Sequence, residues 1–180
     1  MRTRFSTVLI SAILIFSGCG NRKAEIEKEI SDTENKLYGD SVNPMNVTLA
    51  REAVKKYDDF VNQFPDDPKT PEYLFRAGEL CMSLMKSNEA IGYFKKIHDH
   101  YPAFPKAPDC LFLQGFIYEN QLKRLAEAQA LYNEFLKKYP DHNLADDAQF
   151  SLKFLGKSEE EIIKEFEKNN PQKSDSVNMQ

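Results

Sequence analysis

Apolar residues return at steps of three and four along most of the chain, the spacing that lays one stripe along an α-helix. In EAVKKYDDFVNQFP, residues 52–65, that stripe is Ala53, Tyr57, Phe60, Val61 and Phe64, and it stops at Pro65. Proline donates no backbone hydrogen bond and disfavours the helical conformation in the residue before it, so each such stripe predicts a helix with a fixed end. The pattern recurs as EAIGYFKKIHDHYP at 89–102 and EAQALYNEFLKKYP at 127–140. Ala53, Ala90 and Ala128 fall in one column at spacings of 37 and 38 residues, with Tyr57, Phe94 and Tyr132 in a second and Pro65, Pro102 and Pro140 in a third. Self-similarity at such a period marks stacked supersecondary units, none of which buries its apolar face alone.

Further helical segments lie between these copies: PEYLFRAGELCMSLMKS at 71–87 and PDCLFLQGFIYENQLKR at 108–124. Each opens with Pro and a carboxylate, which suit a first helical turn and its positive dipole end. Gly78 and Gly115 sit at the same point of the two segments. A glycine inside a helix costs about 1 kcal/mol relative to alanine, so a repeated one implies close approach of a neighbouring helix. The unit is therefore a helical hairpin, and the fold class is all-α. The ends differ, as capping units do. Residues 22–38, with Ile26, Ile30 and Leu37 on one face, predict a first helix, separated by GDSVNP from the helix that runs to Phe64. A helix is expected over 143–155, and Ser158 with Glu161 forms a capping-box start for EEEIIKEFEKN. Residues 169–180 lack apolar periodicity and read as a disordered tail.

From Pro71, Gly78, Ala90, Phe94 and Pro102 the sequence resembles the tetratricopeptide repeat (TPR), and from Pro108 it does so again at Leu111, Gly115, Tyr118, Ala128, Tyr132 and Pro140 after one inserted residue near Leu122 to Leu125. Ile97 and Phe135 stand where the family usually has alanine, and Leu74 and Leu111 where it has an aromatic. The resemblance covers residues 45–170 and implies a TPR-like α-solenoid of antiparallel hairpins, about three and a half repeats within 24–168. The long period, with FPDDP, YPAFP and YPDHNLADDAQFSL, is most similar to envelope repeats of the YbgF/CpoB type associated with Tol-Pal and of BamD-like lipoproteins. This chain has fewer repeats than the latter.

The N-terminus changes the setting. MRTRFSTVLISAILIFSGCG has Arg2 and Arg4, an apolar run from Phe5 to Phe16 and then small residues, the layout of a secretory signal. Such a run rises only about 18 Å as a helix, short of the roughly 30 Å hydrocarbon core. Ser17-Gly18-Cys19 resembles the end of a bacterial lipobox, with Phe16 departing from the usual aliphatic residue. The resemblance implies a signal peptide over 1–18, an acylated Cys19 and a short lipidated tether over 19–23. Gly20 and Asn21 supply no acidic residue after the cysteine, which resembles outer-membrane sorting.

Composition then narrows the function. The 180 residues are 41% apolar, enough for a packed core, and carry a net charge of −4. Loss of Arg2 and Arg4 with the signal leaves 22 basic against 28 acidic residues. No basic field is left to neutralise phosphates, which excludes nucleic acid as a partner class. His98 and His100, two apart on a helix, point to different faces, and with His142 they make no ligand set. No phosphate loop, nucleophile elbow or HExxH occurs, and Asp66-Asp67 and Asp146-Asp147 sit where caps explain them. Neither an enzyme nor a cofactor or metal is expected. Cys81 and Cys110 fall inside apolar helical patterns as small hydrophobes, with a disulfide between them allowed by count alone.

Surface recognition is what remains. In the TPR family the first helices of successive hairpins line a concave groove, and the matching positions are Glu72, Phe75, Glu79, Met82 and Ser83, then Asp109, Phe112, Phe116, Glu119 and Asn120, then Asp146, Gln149 and Lys153. The implied groove is acidic and aromatic, suited to an apolar or basic protein segment. The competing reading packs Phe75, Phe112 and Phe116 inside the hairpins. Two functions are carried forward: a lipid-anchored scaffold for protein partners of the cell envelope, and an accessory that binds a small ligand or cell-wall glycan in the groove.

Overall fold

The computed structural model describes residues 13–39 and 46–169, with side chains over 21–39 and 46–168. Those residues form eight helices: α1 (Ile13–Tyr38), α2 (Val47–Gln63), α3 (Thr70–Ser83), α4 (Ser87–His100), α5 (Ala107–Asn120), α6 (Leu125–Lys138), α7 (Ala145–Phe154) and α8 (Glu159–Asn169). The fold class is the all-α helical-hairpin repeat that the periodicity predicts. The first helix starts at Ile13 rather than at residue 22, and the segments expected to run to 87 and 124 stop at Ser83 and Asn120. Residues 1–12 of the expected signal and the tail from 170 onward lie outside the described residues, as does the Cys19 side chain.

One joint is used three times. The residue before Pro65, Pro102 and Pro140 adopts nearly the same backbone angles: φ −132°, ψ 58° at Phe64, φ −129°, ψ 55° at Tyr101 and φ −133°, ψ 56° at Tyr139. Proline at the next position excludes the helical well there, which ends the helix. The carbonyl of each of these residues then accepts from the amide three residues on, Asp67 (3.1 Å), Phe104 (2.9 Å) and His142 (3.2 Å). The following helix begins at Thr70, Ala107 and Ala145, at the same distance from each joint.

The chain divides into two compact units, Met1–Phe104 and Pro105–Gln180. In the first, α1 packs on α2, α2 on α3 and α3 on α4. Ile26, Ile30 and Leu37 form the buried face of α1, as predicted. Polar clamps hold that helix too: Lys23–Asp67 at 2.5 Å, Lys56–Glu29 at 2.8 Å, and Glu34, whose Oε1 accepts from both Tyr57 Oη and Arg76 Nη1 at 2.6 Å. The α3–α4 turn closes in a Schellman pattern, with Lys86 N–H on the Cys81 carbonyl (2.8 Å), Met85 N–H on that of Met82 (3.1 Å) and Met85 at φ 58°.

In the second unit α5 packs on α6 and α6 on α7 around Leu111, Phe112, Ala128, Tyr132, Phe135 and Ala148. The equivalent turn carries Lys123 at φ 56°, and Arg124 N–H reaches back to the Tyr118 carbonyl at 2.8 Å. That bond spans one residue more than its counterpart from Lys86, so the insertion read from the sequence is absorbed here. α8 is held by ring contacts from Phe166 to Phe154 (5.6 Å between centroids) and Phe150 (6.5 Å), and by Glu165 between Lys153 (3.6 Å) and Lys157 (2.5 Å). Its capping box forms in both directions, Ser158 N–H to Glu161 Oε2 at 2.8 Å and Glu161 N–H to Ser158 Oγ at 3.3 Å.

Candidate functional site

The hairpins explain their own glycines. A Cβ at Gly78 would lie 2.6 Å from Cε1 of Phe94, and one at Gly115 would lie 2.9 Å from Cε1 of Tyr132. The aromatic column of the repeat thus presses its ring onto the bare backbone of the preceding helix. In the second hairpin this ring is also anchored: Tyr132 Oη donates to Glu119 Oε2 at 2.7 Å. Burial first, and the Glu119 bond with it, push the Tyr132 hydroxyl well above the ordinary phenol range. It stays a donor, and one Glu119 oxygen stays committed to it.

Around that anchor lies an open cleft of about 520 Å³. The end of α5 and the turn after it supply Phe116, Glu119, Asn120 and Lys123, and α6 adds its first residue, Leu125. α7 and the turn behind it supply Phe150, Ser151, Phe154, Gly156 and Lys157, and α8 adds Ile162. Phe116 is 38% exposed and Phe150 is 51% exposed, two large rings that line one cleft. Lys153 and Lys157 stand over the Phe154 ring, 4.8 and 5.2 Å from its centroid. The Lys157 hydrogen bond holds the Glu165 carboxyl below the usual carboxylate range. Two lysines and one glutamate line the cleft, a different balance from the acidic lining expected.

The predicted groove residues separate into three sets: core, surface away from the cleft, and cleft. Phe75 is 5% exposed, its ring against Phe94 (5.7 Å) and Phe104 (6.3 Å). Phe112 is 9% exposed, against Tyr132 (5.5 Å) and Phe135 (5.8 Å). Both belong to the interior of their own hairpins, which corrects their assignment to a binding face: helical spacing serves core and groove alike. Met82 and Glu72 are half-buried, and Glu72 accepts from Arg76 Nε at 3.0 Å. Glu79 and Ser83 are exposed. Asp109 pairs with His142 Nε2 at 3.3 Å, and Asn120 Nδ2 donates to the Phe116 carbonyl at 3.1 Å. Asp146, Gln149 and Lys153 are exposed on α7. Phe116, Glu119 and Asn120 meet in the cleft. Phe150, its most exposed ring, was missed, although an aromatic beside Gln149 on the polar side of its helix was the available signal.

The remaining candidates place simply. Asp146 and Asp147 stand in the first turn of α7 with no side-chain cap at Leu144, so they act on the helix dipole rather than as caps. Asp67 does accept from Lys69 N–H at 2.9 Å. Cys81 and Cys110 are buried thiols without a disulfide, and burial, with the nearby Glu89 carboxylate, pushes Cys81 up to about 11. Among the described residues no group of three His, Cys, Asp or Glu side chains could hold a metal ion, and no helix is long and apolar enough to cross a membrane.

The comparisons agree with the second hairpin. No curated protein matches the chain. The tetratricopeptide repeat family model matches residues 109–142, the stretch that holds Gly115, Ala128, Tyr132 and Pro140. Repeats of this family generally mediate contacts between proteins and are typically non-catalytic. The α5–α6 hairpin is thus a tetratricopeptide repeat, and the chain is a TPR-containing protein.

Proposed function

We propose that this chain is a lipid-anchored adaptor of the bacterial cell envelope, held at the outer membrane through Cys19 and facing the periplasm, and that it binds a protein partner through the second unit. The observation that carries the binding role is the pair of exposed rings, Phe116 and Phe150, over a cleft on a repeat of a family that binds proteins. Aromatic side chains that enter a partner's pocket dominate binding energy. The anchor rests on the resemblance of Ser17-Gly18-Cys19 to a lipobox; several acyl chains at about 0.8 kcal/mol per buried CH₂ give firm attachment.

Capture from detergent-solubilised membranes tests both parts. Wild-type protein is expected to recover a stoichiometric partner, Phe116→Ala to recover far less while keeping its helicity, and Cys19→Ser to leave the membrane fraction or remain unprocessed. A processed Cys19→Ser protein still on membranes ends the anchoring proposal. The cleft's volume, within the roughly 300–1,000 Å³ of small-molecule sites, favours a second reading, a small ligand or cell-wall glycan on the aromatic floor. Glycan affinity without any protein partner would select it.

A further inference from the structure

We infer that the first unit stands end-on against the lipid surface that holds Cys19, with its proline joints toward the headgroups and its α3–α4 turn away from them. This rests on the Cys19 anchor proposed above and goes beyond it by naming the face that meets the bilayer. Cys19 and Lys23 are four residues apart. The backbone of α1 is helical through both, so that span rises about 6 Å, and even fully extended it would reach no more than about 14 Å. The headgroup layer is itself roughly 5–8 Å deep on each side of the hydrocarbon core. Lys23 therefore lies in that layer or just outside it.

From Lys23 onward the anchored helix has no slack. Its ammonium pairs with Asp67 at 2.5 Å, Glu27 pairs with Lys69 at 3.1 Å, and Ile26 is buried. Asp67 and Lys69 belong to the joint that follows Phe64, so the start of the anchored segment is pinned to that joint. The second joint of the unit lies at the same end, since Tyr101 Oη donates to the Pro65 carbonyl at 3.0 Å. α3 begins there at Thr70 and carries the chain 14 residues, about 21 Å, to the turn at Met85.

A flat posture has nothing to hold it. The exposed side of α1 carries Arg22, Glu25, Lys28, Asp32 and Lys36, and among the described side chains its one exposed ring, Tyr38, is at the far end. A helix lying in the interface needs an apolar face to insert, and that of α1 is spent on α2. The charges near the anchor are already paired, Arg22 with Glu25, Lys23 with Asp67 and Lys69 with Glu27. The short pinned tether, not attraction to anionic lipid, sets the posture.

The test uses the full lipidated chain in liposomes of zwitterionic phosphatidylcholine that carry a nitroxide on the headgroup. A fluorophore is placed on Asp66→Cys or on Met85→Cys, both exposed positions, while Cys81 and Cys110 are buried. Quenching is expected to be several-fold stronger at position 66 than at position 85. Inserting about ten Gly/Ser residues after Asn21, a coil of roughly 17 Å, is expected to keep the protein on the liposomes and bring the two readings together.

Equal quenching at the two positions, or stronger quenching at 85, overturns the end-on posture. Quenching at neither, with the protein still on the liposomes, means the unit is held off the surface and overturns it too. A contrast that survives the insertion shows that the tether does not set the posture, and the inference falls in favour of a face with lipid affinity of its own. A mature chain whose mass shows no acyl groups on Cys19 removes the anchor reading and the inference with it.

Discussion

A methyl group at Gly78 would meet the Phe94 ring at 2.6 Å, and that ring has no exposed surface into which it could turn. Helix propensity alone says Gly78→Ala should gain about 1 kcal/mol. Overpacking opposes it, and wins, because the contact is with the body of a ring held on all sides; thermal unfolding should show a net loss of about 1–3 kcal/mol. Ala90→Leu, at a side chain with no exposed surface, should lose about as much. Either substitution behaving as a neutral surface change would mean that the helices are not in this register. Met85 makes the opposite case. It occupies the left-handed position of a Schellman turn and is 65% exposed. Met85→Gly should therefore stabilise by about 1 kcal/mol, by removing the Cβ clash that a left-handed residue carries.

Helix α1 is attached by charge as well as by its apolar face, and this makes its attachment depend on pH. The Lys56 hydrogen bond holds the Glu29 carboxyl below the usual range; burial pushes Asp67 up, but the bonds from Lys23 and from Lys69 N–H outweigh it and hold Asp67 low too. Depressed carboxylates stabilise the folded state above their unfolded pKa and lose that contribution as pH falls through the folded value. Hydrogen exchange should show α1 amides protected at pH 7 and losing protection relative to α3 below about pH 4. Parallel behaviour of the two helices down to pH 3 would show that the clamps contribute nothing. At the other end, Ser158→Ala should fray α8 at a cost of about 1 kcal/mol, read from its amide protection. Both elements were legible in the sequence for different reasons: Ile26, Ile30 and Leu37 give α1 a stripe, while Ser158 and Glu161 give α8 a start signal. The clamps were not legible, because Lys23–Asp67 and Arg76–Glu34 join residues far apart in sequence that become neighbours once helices pack.

Across the molecule, the period of 37 and 38 residues revealed the hairpins, and the proline columns revealed where they turn. The cleft was half legible: Phe116, Glu119 and Asn120 follow from the repeat, but Phe75 and Phe112 share their helical spacing and are core. Phe150 comes from an end unit where the repeat pattern lapses. The two buried thiols give a readout of the whole fold. With Cys19 replaced, a thiol reagent at pH 8 should modify Cys81 and Cys110 only as fast as the protein unfolds, since neither is accessible and little of Cys81 is thiolate. Rapid labelling of either one in the native state would contradict the burial described. The three proline joints bear on ancestry. Their angles agree within a few degrees whichever helices flank them, so the bend is written in the two residues that make it. A duplicated or deleted block with its ends at these prolines would meet the same joint on either side. Unequal recombination could therefore lengthen or shorten this chain by whole hairpins without inventing a new turn, and relatives with other numbers of hairpins should differ by blocks of this period.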